Sequence, residues 1–145
     1  MKEKKDLIAY CGLYCSDCFI YQGKIADLAR DLRKELRKSK FSRFAKMISG
    51  YFKPYKNYDT TYEVLGMMVR LRCKRTCHNG GGPPSCKVRT CCLKKGIEGC
   101  WQCTEFEQCK KLDFLRAVHD DAHIRNLRTL KGKGVKRFIR GKRYW

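Results

Sequence analysis

Acidic residues are scarce in this 145-residue chain: 14 Asp and Glu stand against 34 Lys and Arg, a formal charge of +20. That imbalance favours polyanionic partners such as nucleic acid or an acidic membrane. Long apolar runs are missing too, so no stretch approaches the length of a membrane span. The opening residues, MKEKKDLIAYCGLYC, contain neither a continuous apolar segment nor a small-residue cleavage site. They argue against a secretory signal and predict a reducing, cytoplasmic setting. No alternating run reads as a convincing strand. The run Asn79-Gly80-Gly81-Gly82-Pro83-Pro84 lacks the Gly-Lys-Ser/Thr of a phosphate-binding loop and the flanking strand of a dinucleotide site. It reads instead as a turn whose bare backbone can donate N–H groups to sulfur.

What the chain has in quantity is cysteine. Eight of its eleven cysteines fall between Cys73 and Cys109, and the other three are Cys11, Cys15 and Cys18. The segment 73–109 has too little apolar periodicity to offset its conformational entropy unaided. An odd count of thiols in a reducing compartment argues for metal or redox chemistry over a disulfide framework. A tetrahedral zinc site takes four ligands, usually as short-spaced pairs. Cys15/Cys18 and Cys100/Cys103 are the best such pairs, and Cys73/Cys77 is looser, with Cys86 following a flexible loop. The candidate ligands are Cys11, Cys15, Cys18, Cys73, Cys77, Cys86, Cys91, Cys100, Cys103 and Cys109, enough for two zinc ions. Cys92 is set aside as a small buried hydrophobe, since adjacent residues rarely both reach one tetrahedral ion. Spacing leaves open which cysteines share a metal. Four thiolates also serve an iron–sulfur cluster, which is the rival cofactor.

Three histidines are further candidates. His78 adjoins Cys77. His119 and His123 are four apart, so a continuous helix would put both on one face, with Asp120 and Asp121 available to orient the rings. Their alternative role is a hydrogen-bonded structural one.

The remainder is helical in pattern. In residues 20–38, Ile25, Leu28, Ala29, Leu32 and Leu36 form one apolar stripe, with Arg30, Arg33, Lys34, Arg37 and Lys38 on the opposite face. Phe41, Phe44, Ala45, Ile48 and Phe52 predict a second helix, broken near Gly50 and stopped before Pro54. Tyr51, Phe52, Tyr55 and Tyr58 interleave with Lys53 and Lys56, a mixture that packs a core edge or stacks bases. Thr60-x-x-Glu63 is a capping-box signature that should start a third helix. Short helices follow around Leu112–Val118, from Ile124 to Gly132, and from Val135 to Gly141. The expected fold class is mainly α: one domain over 1–145, helical over about 20–72 and 111–141, with a loop-rich metal-binding half over 11–18 plus 73–109.

The motifs CGLYCSDCFIY, GGGPPSCKVRTCC, KKGIEGCWQC and EFEQCKKL resemble the DUF3795 family, a bacterial and archaeal cysteine-rich family of uncharacterised function taken to bind zinc. The resemblance runs nearly the whole chain, through NYDTTYEVLGMMVRL and VHDDAHIRNL to GKRYW. It implies that the family's cysteine pattern falls on Cys11, Cys15, Cys18, Cys77, Cys86, Cys91, Cys100, Cys103 and Cys109. Cys73 sits one residue further from Cys77 than a Cys-x2-Cys pair requires. The resemblance supplies no reaction. The functional expectation is a non-catalytic zinc-binding protein whose basic surface meets a polyanion such as nucleic acid. The alternatives are an iron–sulfur or thiol redox protein and, more remotely, a metal store or sensor.

Overall fold

The computed structural model describes residues 2–145, and its fold is mainly α with no strand among the described residues. A single antiparallel bridge joins Ile8 and Tyr14. The helices are α1 (Lys2–Lys5), α2 (Phe19–Gln22), α3 (Lys24–Lys38), α4 (Phe41–Ile48), α5 (Tyr58–Arg70), α6 (Lys87–Lys95), α7 (Arg116–His119) and α8 (Ala122–Arg140), linked in places by short 3-10 turns. The chain divides into two compact units. Unit 1 runs up to Tyr21 and again over Cys73–Trp145; unit 2 is Gln22–Arg72.

In unit 2, α3 packs on α5 through small residues. Ala26 and Ala29 are buried, and a Cβ on Gly66 of α5 would lie 3.1 Å from the Arg33 guanidinium. Arg33 lies over the Tyr62 ring at 4.4 Å, and Arg37 donates to the Tyr62 hydroxyl at 3.0 Å. At the other end, Asp27 accepts from Arg30 at 2.9 Å and from Arg72. Burial therefore follows Ala26, Ala29, Arg33 and Leu36, of which only Ala29 and Leu36 belong to the expected apolar stripe. Leu28 is 60% exposed and Leu32 48% exposed. Among the described residues of the unit, no further element covers the larger side chains on that side of α3.

Several helix boundaries differ from the sequence pattern for local reasons. Gly23, at φ 72°, separates α2 from α3 within the expected 20–38 helix. The Thr60–Glu63 box lies inside α5 instead of starting it, because a 3-10 turn over Lys53–Asn57 with Pro54 in its first turn runs directly into Tyr58. Thr61 then bonds back to the Asn57 carbonyl at 3.0 Å. In α8 the break falls at Gly134 (φ 77°, ψ 166°), two residues beyond the expected stop at Gly132. The cysteine-rich half contains a helix the periodicity did not reveal, α6, capped by Gly96 in the left-handed conformation.

The core of unit 1 gathers Ile8, Leu13, Val88, Trp101, Phe106, Leu112, Leu127 and Phe138. Backbone bonds join its distant parts: Cys100 N–H to the Tyr10 carbonyl at 2.8 Å, and Cys73 N–H to the Ile20 carbonyl at 3.1 Å. The last residues fold back onto this core. Arg143 pairs with Asp17 at 2.7 and 3.1 Å, and Trp145 meets the rings of His119 and Phe19. Asn126, fully buried, exchanges two bonds with the Tyr144 backbone at 2.8 and 2.9 Å. Asn126→Ala leaves both Tyr144 groups unpaired, so urea denaturation should show a loss of about 2–3 kcal/mol, with earlier proteolysis of the tail.

Candidate metal centre

The two knuckle pairs have the same local geometry. Cys18 N–H bonds to the Cys15 carbonyl at 3.0 Å, and Cys103 N–H to the Cys100 carbonyl at 3.0 Å. Each pair thus sits on a one-turn 3-10 bend. Gly12, with a φ of 85°, makes the turn from Ala9 to Leu13 that leads into the first bend, and a Cβ there would lie 2.7 Å from the Leu127 side chain. Asp17, inside that bend, is the carboxylate held by Arg143.

The glycine-proline run does donate to sulfur. Gly82 N–H reaches Cys73 Sγ at 3.1 Å, while that thiol points to the Arg75 carbonyl at 3.3 Å. Arg89, on α6, pins the run from outside by donating to the carbonyls of Gly81, Pro83 and Pro84 at 2.7, 2.9 and 3.1 Å. Gly81 admits no side chain, because a Cβ would lie 1.9 Å from the Arg75 carbonyl oxygen.

Sulfurs gather at two places in unit 1. At the first, Cys15 and Cys77 share a hydrogen bond. That bond, against partial burial, brings Cys15 down to about 7, and the same bond pushes Cys77 well up. Cys11 lies in the fields of Cys86 and Cys15, and burial pushes it up to about 12. Cys73 and Cys11 also act on Cys77. At the second, Cys92 Sγ and Cys100 Sγ are 3.7 Å apart. Their shared hydrogen bond lowers Cys92 and raises Cys100, which also feels Cys11 and Cys109. Lys95 Nζ approaches Cys103 Sγ at 3.4 Å.

The Cys92–Cys100 pair has the spacing of ligands. Sulfurs on a tetrahedron with metal–sulfur bonds of about 2.3 Å are about 3.75 Å apart. Among the described residues, however, no group of three or more Cys, His, Asp or Glu side chains converges closely enough to hold an ion. The donor chemistry fits in pairs, and neither gathering is a closed cage. Cys92, set aside on its sequence neighbour, is only 1% exposed and adjoins Cys100, whereas Cys91 is half-buried. Helix α6 explains the difference, since successive residues point about 100° apart on a helix. Val88 and Cys92, spaced i and i+4, were the available signal for that helix.

The histidines are not where one continuous helix would put them. Asp120, at φ 47°, breaks the chain between α7 and α8. His119 ends α7 and packs on Trp145 at 4.6 Å, while His123 lies in α8. Neither ring nitrogen of the fully buried His123 has a hydrogen-bond partner among the described residues, nor has Nδ1 of His119. Asp121 instead faces Arg125 at 3.9 Å. His78 packs on Tyr10, ring centroids 4.1 Å apart.

The model of a family described as "Protein of unknown function (DUF3795)" matches residues 7–114, which takes in every cysteine and ends before α7. No curated protein and no solved structure is significantly similar to the chain.

Burial, then the positive fields of Arg116 and His119, lowers the His123 pKa from 6.5; Asp121 and Asp113 oppose this more weakly. A depressed folded value means that the stability is complete above the unfolded value and is lost as pH falls below it. His123→Leu removes two unpaired nitrogens. Thermal denaturation should find it at least as stable as the parent at pH 7. Between ~pH 6.5 and ~5.5 it should lose less stability than the parent, by up to about 1.4 kcal/mol. A loss of more than about 2 kcal/mol at pH 7 would mean that the ring has a partner.

Proposed function

The chain belongs to the DUF3795 family, and we propose that it is a non-catalytic zinc-binding protein whose basic surface meets a polyanion such as nucleic acid. One observation carries the metal half: Cys92 and Cys100 hold their sulfurs 3.7 Å apart in the core of unit 1. Two thiols in contact cannot both ionise cheaply, and a dication between them removes that cost. Cys92 and Cys100 would supply two ligands of one ion and Cys15 and Cys77 two of the other, each set being completed by sulfurs that close in on binding, from among Cys103 and Cys109 and from among Cys11, Cys73 and Cys86. Zinc bound there supplies no reaction and ties loops together. The spacing speaks against a four-iron cluster, where each thiolate sits on its own iron. A two-iron cluster also puts two thiolates on one metal, and colour separates it from zinc.

The polyanion half rests on charge. In unit 1, Cys109, Lys110, Lys111, Arg128 and Lys131 line a groove of about 780 Å³, shared with Glu105 and Glu107. Arg128 is neutralised by Glu107 at 2.8 Å, and Lys131 lies over Phe106 at 5.5 Å. Lys110 and Lys111 are exposed on its rim.

Elemental analysis of anaerobically purified protein should find stoichiometric zinc and no iron, in a colourless solution. Cys92→Ser and Cys100→Ser should each lower the zinc content, while Cys91→Ser should leave it unchanged. Brown protein with absorbance near 400 nm would sink the zinc assignment in favour of a cluster. Binding to a labelled oligonucleotide should fall by at least about tenfold between ~50 and ~200 mM salt. Absence of binding at low salt would remove the polyanion half alone.

A further inference from the structure

Unit 2 holds seven aromatic residues, yet the hydrophobic residues it buries are alanines: Ala26, Ala29 and Ala45. Its rings form a connected cluster around Phe41, which lies 5.5 Å from Phe44, 6.2 Å from Tyr55 and 5.5 Å from Tyr58. Phe52 meets Tyr55 edge-on at 6.5 Å. Beyond this cluster the rings face solvent: Tyr51 is 87% exposed and Phe52 59% exposed. They are nonetheless held. The N–H groups of both residues bond to the Ile48 carbonyl at the end of α4, each at 3.0 Å, and Tyr55 N–H bonds back to Phe52 at 3.1 Å. An ordered turn therefore fixes the backbone from which these exposed rings project, so little backbone ordering entropy is lost when something binds them.

The charge around the rings is of one sign. Residues 36–58 carry seven Lys or Arg and no Asp or Glu. Such a surface attracts anions, and ring and cation alternate through Tyr51, Phe52, Lys53, Tyr55, Lys56 and Tyr58. A membrane-surface helix separates an apolar face from a cationic one; the two turns of α4 do so, but over Tyr51–Tyr58, where the most exposed rings lie, rings and cations are mixed along one strip. A duplex keeps its base faces stacked inside, so exposed rings gain little from it. Unpaired bases offer π-faces at the pitch of a charged backbone. We infer that the Phe41–Tyr58 strip of unit 2 is a binding site for single-stranded nucleic acid, with Tyr51 and Phe52 stacking bases and Lys46, Lys53 and Lys56 meeting phosphates. This rests on the polyanion reading above and narrows it to one strand class and one place.

The test is fluorescence anisotropy with the full chain, using labelled oligo(dT) of about 16 nucleotides and a duplex of the same length. The single strand should bind more tightly than the duplex at equal salt. Tyr51→Ala should weaken single-strand binding on the order of tenfold with the salt slope unchanged. Tyr51→Trp should restore or tighten it, which a merely structural role does not predict. The exposure of Tyr51 makes loss of folding an unlikely cost, and helical circular dichroism checks it. Lys53→Ala with Lys56→Ala should flatten the salt slope by about 1.4. If Tyr51→Ala binds as the parent does while binding stays salt-dependent, the polyanion reading stands and this inference fails. If the parent binds anionic vesicles through Tyr51 and shows no single-strand preference, the strip serves a lipid surface and the inference is overturned. If the parent binds neither strand form at low salt, both readings fail together.

Discussion

The constraint on which unit 1 depends is the contact between sulfurs. Two thiolates at the 3.7 Å of Cys92 and Cys100 repel by about 4 kcal/mol at an effective dielectric of about 20. The proton shared by each pair is therefore the least cation that can keep it together. The two gatherings draw on segments far apart in sequence, since Cys11 and Cys15 face Cys77 and Cys86. The backbone bonds that bring them together, from Cys100 to Tyr10 and from Cys73 to Ile20, involve the cysteines themselves. Position and chemistry are thus fixed by the same residues, so any change that moves a sulfur also moves a loop. On the proposed reading zinc replaces the shared protons, and its binding energy becomes folding energy for unit 1.

The sequence made part of this legible. Cys15/Cys18 and Cys100/Cys103 were readable as knuckles because a two-residue spacing allows few backbone paths, and both adopt the same turn. The Gly82 donor to Cys73 was readable because a glycine run leaves its N–H groups bare. Cys92 is buried as its reading as a small hydrophobe expects, but adjacency to Cys91 could not tell that a helix turns the two apart and sets Cys92 against Cys100. The His119–His123 spacing failed for the converse reason. It assumed a helix through Asp120, where the chain takes a positive φ that pattern cannot reveal. The apolar stripe of α3 misled because periodicity identifies a face without saying how much of it has a neighbour. Ala26, absent from the stripe, ended inside, and Leu28 outside.

The positive charge is also divided in a way that composition hides. Arginines are tied into the fold: Arg33 on Tyr62, Arg72 on Asp27, Arg89 on the glycine-proline carbonyls, Arg128 on Glu107 and Arg143 on Asp17. A planar fork suits such two-point contacts better than an ammonium. Arg143 illustrates the loss of information, since from sequence it is one more cation in a basic tail. Some lysines also pair, as Lys5 does with Glu98 and Lys95 with Glu105. Most of the field that a polyanion would meet is nevertheless left to lysines on the surface, and a count of +20 overstates what is available to it.

The two units therefore spend charge in opposite senses. On the proposed reading, unit 1 assembles thiols that become anions when metal binds, in segments packed on its core. Unit 2 assembles cations with rings between them and has no acid over residues 36–58 to neutralise the strip. That strip also contains no cysteine, so its charge and shape do not depend on the state of any sulfur within it. If the fold of unit 1 depends on metal as proposed, the proposed polyanion surface of unit 2 is one that neither oxidation nor chelation alters directly.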